Sequence, residues 1–212
     1  MIAVLFFASA SGAKPKLISE EEAKKAGLAF INRVFDANET EATVKLVTEA
    51  GTSYVDGKYV RKGDEQPVSY YVVSASEIKD GLYRYYASVN AETGVAYSAE
   101  RDNSLVPEMT SKQRSAWKEA YGNGDVNSFD FTRVYMDCTN FAHEWIPEKF
   151  ELKAKFLGFV DSGSAYDKDG INENFYVVIR DGTIYHVTIA WPQRTVLEVT
   201  MLNQTRPTED IP

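Results

Sequence analysis

Apolar and polar residues alternate along three consecutive runs in the first half of the chain, over residues 68–74, 82–89 and 95–98. A period of two is typical of β-strands, and Tyr and Val, which favour strands, dominate these runs. Asp80 and Gly81 separate the first two runs and tolerate the positive φ angles of a tight hairpin. The pattern predicts a meander of three antiparallel strands, one face of which a helix or a second sheet must cover.

A helix is predicted upstream of this meander. Ser19 and Glu22 have the spacing of a capping box, in which each side chain binds the backbone N–H of the other residue. Apolar residues then recur at helical spacing, at Ala23, Ala26, Phe30, Ile31 and Val34. Alternation over residues 42–48 predicts a fourth strand, and Asp56-Gly57 predicts a small hairpin before the meander.

The same order of elements returns in the second half of the chain. Residues 176–178 read Tyr-Val-Val like residues 71–73, and an Asp-Gly turn and a Tyr-bearing strand follow each. Pro147 is expected to end the second helix, because proline breaks helical hydrogen bonding. The apolar face of this helix carries Val134, Cys138, Phe141, Ala142 and Trp145. Duplication explains the match, and chance similarity between two amphipathic meanders is the alternative.

These patterns predict an α+β fold with two tandem units, each a helix packed on a four-stranded antiparallel sheet. The units span residues 14–105 and 128–204, a helical connector spans residues 106–127, and a tail spans residues 205–212. Two such units can pack face to face.

Residues 1–13 are an apolar run that ends in small residues, which is typical of a signal peptide. The run lacks a basic start and is shorter than the roughly 20 residues of a membrane span. It predicts a leader remnant and export from the cytoplasm, and the alternative is an ordinary N-terminal strand or buried tail.

Composition narrows the classes of partner. The 212 residues carry a net charge of −8 and show no basic cluster in the linear sequence. This argues against nucleic acid or an anionic membrane as the partner, because both attract clustered Lys and Arg. The single cysteine, Cys138, excludes an internal disulfide and a thiolate metal cluster.

Cys138 and the two histidines, His143 and His186, are the residue types of thiol catalysis. His143 follows Cys138 by five residues, which places it about 140° around a helix, so only His186 remains as a base. Cys138 also lies on the apolar helix face. A small buried core residue is therefore preferred over a nucleophile.

Residues 161–174 are dense in oxygen ligands of the kind that Ca²⁺ prefers. Alignment of Gly170 with the glycine of an EF-hand loop places Ala165 and Tyr176 at the first and last ligand positions, which neither residue can fill. A solvated hairpin loop is preferred over a cation site. No phosphate-binding loop, zinc spacing or nucleophile elbow occurs in the sequence, and no cofactor is predicted.

The predicted strand over residues 82–89 has apolar or aromatic residues on both faces. One face carries Tyr83, Tyr85, Ala87 and Val89, and the other carries Leu82, Arg84, Tyr86 and Ser88. A single helix covers only one of them. Either the second unit packs on the other face, which is slightly favoured, or Tyr86 and Arg84 form an exposed interaction surface.

Two segments resemble the PepSY domain. They read SEEEA at residues 19–23, where the first helix begins, and VNAETGV at residues 89–95, where PepSY strand pairs read V-D-A-x-T-G-x-V. The resemblance covers residues 17–100, with Asn90 in place of the usual Asp. Residues 190–195, AWPQRT, depart from the motif, so only the architecture extends to the second half.

PepSY domains occur in the propeptides of secreted peptidases and in bacterial cell-envelope proteins, including accessory proteins of spore-cortex hydrolases. The resemblance implies a non-catalytic extracytoplasmic bacterial module that binds or inhibits a peptidase or a cell-wall hydrolase. Two other classes stay open. One is a small-ligand carrier that uses a cleft between helix and sheet, and the other is a thiol enzyme that uses Cys138.

Overall fold

The fold is known from a computed structural model, which describes residues 16–49, 52–55, 58–61, 68–121, 129–152, 156–167, 170–180 and 182–202. Within these residues the α-helices are α1 (Glu20–Phe35), α2 (Ser111–Tyr121) and α3 (Phe131–Phe150). The strands are β1 (Ala42–Glu49), β2 (Thr52–Val55), β3 (Lys58–Arg61), β4 (Val68–Lys79), β5 (Leu82–Asn90), β6 (Ala96–Arg101), β7 (Phe156–Asp167), β8 (Gly170–Ile179), β9 (Ile184–Trp191) and β10 (Thr195–Met201). The predicted α+β class is confirmed. The leader-like residues 1–13 lie outside the described residues.

Eight strands form one antiparallel sheet in the order β1-β4-β5-β6-β10-β9-β8-β7, and β2 pairs with β3 in a separate hairpin. The two halves of the chain meet where β6 pairs with β10, with Ala99 opposite Val199. The predicted face-to-face packing is therefore wrong. Pairing of β6 with β10 satisfies the backbone groups of two strands that would otherwise be sheet edges.

Helix α1 begins as its sequence predicts and lies very close to the sheet. The Ser19 hydroxyl accepts a 3.2 Å hydrogen bond from the backbone of Glu22, whose carboxylate accepts one of 2.8 Å from the backbone of Ser19. A Cβ atom added at Gly27 would lie 2.6 Å from Cβ of Val73 in β4. Glycine at this position therefore sets the spacing between α1 and the sheet.

Both long helices lie on the same face of the sheet. Their C-terminal ends meet, because the rings of Phe30 and Phe150 are 5.9 Å apart and Lys149 pairs with Asp36. Alternate residues of each strand face these helices and are buried, as the strand period of two requires. The largest fully buried side chains on this face include Val73, Val89, Phe175, Val177, Ile179 and Ile189.

The PepSY-like turn after β5 shows how Asn90 replaces the usual Asp. Its side-chain oxygen accepts 2.9 Å hydrogen bonds from the backbone of Glu92 and of Thr93. Gly94 follows at a φ of 74°, a conformation that favours glycine. Asparagine thus supplies the acceptor that the turn needs, because an amide oxygen serves as well as a carboxylate here.

The prediction that α3 ends at Pro147 is wrong, because the helix continues to Phe150. Proline removes one backbone donor, but residues 148–150 after it keep theirs, so the helix can continue to its end at Phe150. The helix ends where Glu151 adopts a left-handed φ of 52° and the backbone N–H of Leu152 donates to the Pro147 carbonyl over 3.1 Å.

The prediction of a loop over residues 161–174 is also wrong. Strand β7 continues to Asp167 and β8 starts at Gly170, so the segment is a hairpin whose polar groups pair across the strands. The Ser164 hydroxyl donates to the buried carboxylate of Glu173, and the Asn174 side chain donates to the Gly163 carbonyl over 3.2 Å. Polar residues therefore form these strands because each finds a partner in the neighbouring strand.

Candidate interaction surface and groove

The hairpin tip, defined as residues 77–84, projects beyond its neighbouring strands. Strand β1 pairs with β4 only as far as Ala75, and β6 pairs with β5 only from Tyr85 onward. Ile78 and Leu82 at the tip are 47% and 62% exposed. Large apolar side chains that project into solvent in this way are typical of contact sites for other proteins.

Two features define the conformation of the hairpin tip. Asp80 and Gly81 have φ angles of 51° and 82°, as the predicted tight turn requires. The hydroxyl oxygen of Tyr86 accepts a 2.9 Å hydrogen bond from the backbone of Tyr83, and the two rings meet edge to face. The turn and this hydrogen bond thus set the backbone course at the tip.

The predicted interaction residues Tyr86 and Arg84 lie at the base of the hairpin tip. Arg84 is exposed and Tyr86 is half-buried. Leu82 shares their face of β5, because alternate residues of a strand point the same way. Whether these residues bind a partner stays a prediction.

The sheet face opposite the three helices is polar. Two cross-strand rows of side chains cross the seam between the halves. One row contains Ser74, Tyr86, Glu100, Glu198, Thr188 and Asn174, and the other contains Ser88, Ser98, Thr200, His186 and Tyr176. Hydroxyl and amide groups link neighbouring strands, as in the 2.7 Å contact between the Ser98 and Thr200 oxygens.

Glu100 and Glu198 are direct cross-strand neighbours with opposite pKa shifts. Burial, and then the charges of Glu198 and Asp102, raise the pKa of Glu100. The interaction with His186 lowers the pKa of Glu198 and outweighs the effect of burial. The ring nitrogen Nδ1 of His186 lies 3.9 Å from a carboxylate oxygen of Glu198. Of these two adjacent carboxylates, Glu198 lies beside His186, whereas the charges that act on Glu100 belong to other carboxylates.

Cys138 has none of the properties of a nucleophile. Its side chain is 0% exposed, and burial, followed by the nearby charges of Glu173 and Asp137, raises the pKa of its thiol. His143 is exposed on the same helix. His186 alternates with the buried Tyr185 and Val187 and therefore points to the opposite face of the sheet. The pair that a thiol enzyme requires does not form, and the prediction of a core cysteine is confirmed.

A groove of about 800 Å³ lies where α2 meets the ends of β8 and β9. Trp117 and Trp191 line it, with their ring centroids 6.1 Å apart. Its other lining residues come from the segment after β6, from α2 and from the ends of β7, β8 and β9, and include Val106, Glu108, Met109, Arg114, Lys118, Gly170, Asn172 and Gln193. This is a cleft between a helix and a sheet.

Asp137 in α3 holds the groove residue Trp191 in place. Its carboxylate accepts a 2.8 Å hydrogen bond from the indole nitrogen and a 3.0 Å bond from Nε of Arg194. Burial raises the pKa of Asp137, but the hydrogen bonds from Arg194 and Trp191 outweigh it and leave the pKa below its ordinary value. The carboxylate is therefore charged and fixes the turn between β9 and β10.

In the described part of the chain, no three His, Cys, Asp or Glu side chains converge in a way that would hold a metal ion. The described helices also include none with the length and apolar character that a membrane crossing demands. The side chains of Asp167 and Asp169, which would occupy ligand positions in the EF-hand alignment of the less favoured cation site, lie outside the described residues.

Sequence reasoning missed the groove and the polar face. The groove joins three stretches that are far apart in the sequence, around residues 103–118, 165–172 and 190–193. The polar rows depend on the register between β6 and β10, which no local pattern specifies. The one available signal was the alternation of Ser, Thr and Tyr with apolar residues in each strand.

Comparisons with known proteins do not assign the chain to a family. No known protein family matches the chain, and no curated protein matches it. A solved structure of the Bacillus megaterium YpeB C-terminal domain is similar to it, with a TM-score of 0.45 and 13% sequence identity over 93% of this chain and 70% of that chain. The functional interpretation therefore depends on the residues themselves.

Proposed function

We propose that this protein is a non-catalytic module that works outside the cytoplasm of a bacterium and binds or inhibits a peptidase or a cell-wall hydrolase. The hairpin tip is its contact site. The observation that carries the proposal is the exposure of Ile78 and Leu82 on a projection that no neighbouring strand of the described residues covers.

The chemistry of the hairpin tip suits a protein partner. Leu82 supplies apolar area at the tip, and Arg84 and Tyr86 follow it on the same face of β5. Tyrosine and arginine are enriched among the residues that contribute most to protein–protein affinity. The tip is thus an apolar contact with polar groups beside it, as at the centre and rim of an interface.

The class of partner comes from the sequence. The PepSY-like segments at residues 19–23 and 89–95 favour a peptidase or a cell-wall hydrolase, and the leader-like residues 1–13 favour export. The structure supports the non-catalytic part of the proposal at one point, since Cys138 is buried, His143 is exposed on the same helix and His186 points to the opposite face of the sheet.

A photocross-linking experiment tests this proposal. A benzophenone amino acid replaces Leu82 in the full chain, and a matched protein carries it in place of Met136, which is 57% exposed on α3. After irradiation in an envelope extract, we expect the probe at position 82 to capture a peptidase or a cell-wall hydrolase and the probe at position 136 to capture neither. Equal capture at both positions would contradict the proposal.

A small-ligand carrier is the second candidate function, and the groove beside Trp117 and Trp191 favours it. Its volume of about 800 Å³ lies in the range of 300–1,000 Å³ that is typical of ligand sites. Native mass spectrometry of the protein purified from its own host separates the two functions. Detection of a bound small molecule supports the carrier, and detection of the protein without a bound small molecule supports the binding module.

A further inference from the structure

The groove contains a buried polar atom without a partner. The side-chain oxygen Oε1 of Gln193 is buried and accepts no hydrogen bond from any described residue. A buried acceptor without a donor costs free energy, so native proteins rarely keep one unless a ligand or a water completes it. A ligand that reaches this side chain in place of water is therefore favoured if it offers a hydrogen-bond donor.

The charges at the groove favour an anion. Arg114 and Lys118 lie one turn apart on α2, and both side chains are exposed. The guanidinium of Arg114 is held in position by a 3.0 Å hydrogen bond to the carbonyl of Met109. Glu108 is the acidic residue of the lining, so two cations face one carboxylate there. The whole chain, in contrast, has a net charge of −8. This local excess of positive charge is opposite in sign to the rest of the molecule.

The shape of the groove favours an extended ligand. Ile171 and Trp191 are cross-strand partners on the helix-covered face of the sheet, whereas Asn172 and Ala190 are partners on the opposite face. All four line the groove, which therefore runs around the end of the sheet from one face to the other. A compact molecule would fill only one side of such a groove.

The apolar part of the lining defines the remaining requirement. Trp117 and Trp191 form one wall, and Val106, Pro107 and Met109 from the segment after β6 also line the groove. Methionine adapts to apolar groups of different shapes, and aromatic rings supply a large apolar area. The ligand therefore combines an apolar portion, an anionic group and a hydrogen-bond donor in one extended molecule.

We propose that this groove binds the carboxy-terminal end of a peptide. The free carboxylate pairs with Arg114 and Lys118, a backbone amide of the peptide meets the side-chain amide of Gln193, and apolar side chains contact Trp117 and Met109. A peptide bond carries both a donor and an acceptor, and it therefore matches either end of the glutamine amide. A fatty acid shares the carboxylate and the apolar chain but lacks the donor.

The test uses the full chain and three probes, which are the acetylated peptide Ala-Leu-Ala-Leu with a free carboxylate, the same peptide as a carboxy-terminal amide, and octanoate. Binding is measured by titration calorimetry and by tryptophan fluorescence. We expect the free acid to bind at least tenfold more tightly than the amide and than octanoate. Its affinity should fall as salt increases, since salt screens the ion pairs.

Three variants localise the binding. Lys118→Gln should weaken binding of the free acid at least fivefold and leave binding of the amide unchanged. Gln193→Leu should weaken binding of both peptides. Lys112→Gln is the matched control, because Lys112 is an exposed cation of the same helix that does not line the groove. It should change neither affinity by more than twofold, and circular dichroism verifies that each variant is folded.

Three results would overturn this inference. They are equal affinity for the acid and the amide, octanoate binding as tightly as the peptide acid, and no saturable peptide binding by the folded protein at 5 mM. The hairpin tip shares no residue with the groove, so any of these results leaves the proposed protein-binding function to its own test.

Discussion

The indole nitrogen of Trp191 donates a 2.8 Å hydrogen bond to Asp137, and this bond ties β9 to α3. The same carboxylate pairs with Arg194, two residues beyond the cis peptide bond between Trp191 and Pro192. One acidic side chain thus fixes both the wall of the groove and the last turn of the sheet. Its removal should affect stability more than its partly exposed position suggests.

We expect Asp137→Asn to lower the free energy of unfolding by about 1–2 kcal/mol at pH 7, as for loss of charge-assisted hydrogen bonds. The pKa of Asp137 is lowered in the folded state, so its contribution is present above the unfolded pKa of about 3.9 and is lost as the pH falls through the folded value. Urea unfolding at pH 7 and pH 3 checks this. Glu148→Gln, an exposed change in the same helix, should cost under about 0.5 kcal/mol at both pH values.

Glu100, which lies opposite Glu198, predicts a pH dependence of stability that is opposite in sign to that of Asp137. The pKa of Glu100 is raised, so the folded state binds more protons than the unfolded state just above the ordinary glutamate pKa, and stability falls as pH rises through that window. Glu100→Gln should raise the free energy of unfolding by about 0.5 kcal/mol at pH 7, since solvent screens much of the repulsion between cross-strand charges. The gain should vanish at pH 3.

The control for this prediction is Glu92→Gln, an exposed change in the turn after β5. Chemical unfolding of both variants across pH 3–8 measures the effect. A loss of stability in Glu100→Gln at pH 7 would show that the carboxylate has a favourable partner and would contradict the account of the seam.

Cys138 should behave as a core residue. Cys138→Ala is expected to lower the free energy of unfolding by about 1–2 kcal/mol and to leave binding unchanged. Because burial raises the pKa of the thiol, iodoacetamide should label the native protein far more slowly than the protein in guanidinium chloride. Rapid labelling of the native protein, together with a hydrolase activity that Cys138→Ala abolishes, would refute this prediction.

The proposed location has its own test. Residues 1–13 have the composition of a signal-peptide core, and we expect the tagged full-length protein to be recovered outside the cytoplasm of its bacterial host. Fractionation with cytosolic and envelope markers measures this, and N-terminal sequencing identifies any processing. Recovery of the whole population in the cytosol with Met1 retained would contradict export.

Much of the fold was predictable because its signals are local. The capping box at Ser19 and Glu22, the turn at Asp80-Gly81 and the alternation in β4 and β5 each act over a few residues. The errors lie where distant residues decide. Ser164 and Glu173 lie in strands because their side chains pair with each other across β7 and β8. The two halves of the sheet join edge to edge because β6 pairs with β10, about 100 positions later in the chain.

The candidate site was less predictable than the fold. Alternation placed Leu82, Arg84 and Tyr86 on one face of β5, but it did not reveal that β1 and β6 stop short and leave the tip uncovered. The groove brings Arg114 and Gln193 together from opposite ends of the second half. Such long-range proximity follows from sheet order, which local periodicity does not contain.

The hairpin tip is the central claim, and quantitative capture of its partner tests it most directly. Tagged full-length protein, the double variant Ile78→Ser with Leu82→Ser, and the control Met136→Ser are each immobilised and exposed to an envelope extract of the host. Retained proteins are then identified and quantified by mass spectrometry. The account predicts that a peptidase or a cell-wall hydrolase is enriched by the wild type and by Met136→Ser, and that the double variant retains at least tenfold less of it. Equal retention by the folded double variant, or enrichment of no such enzyme by the wild type, would contradict the account.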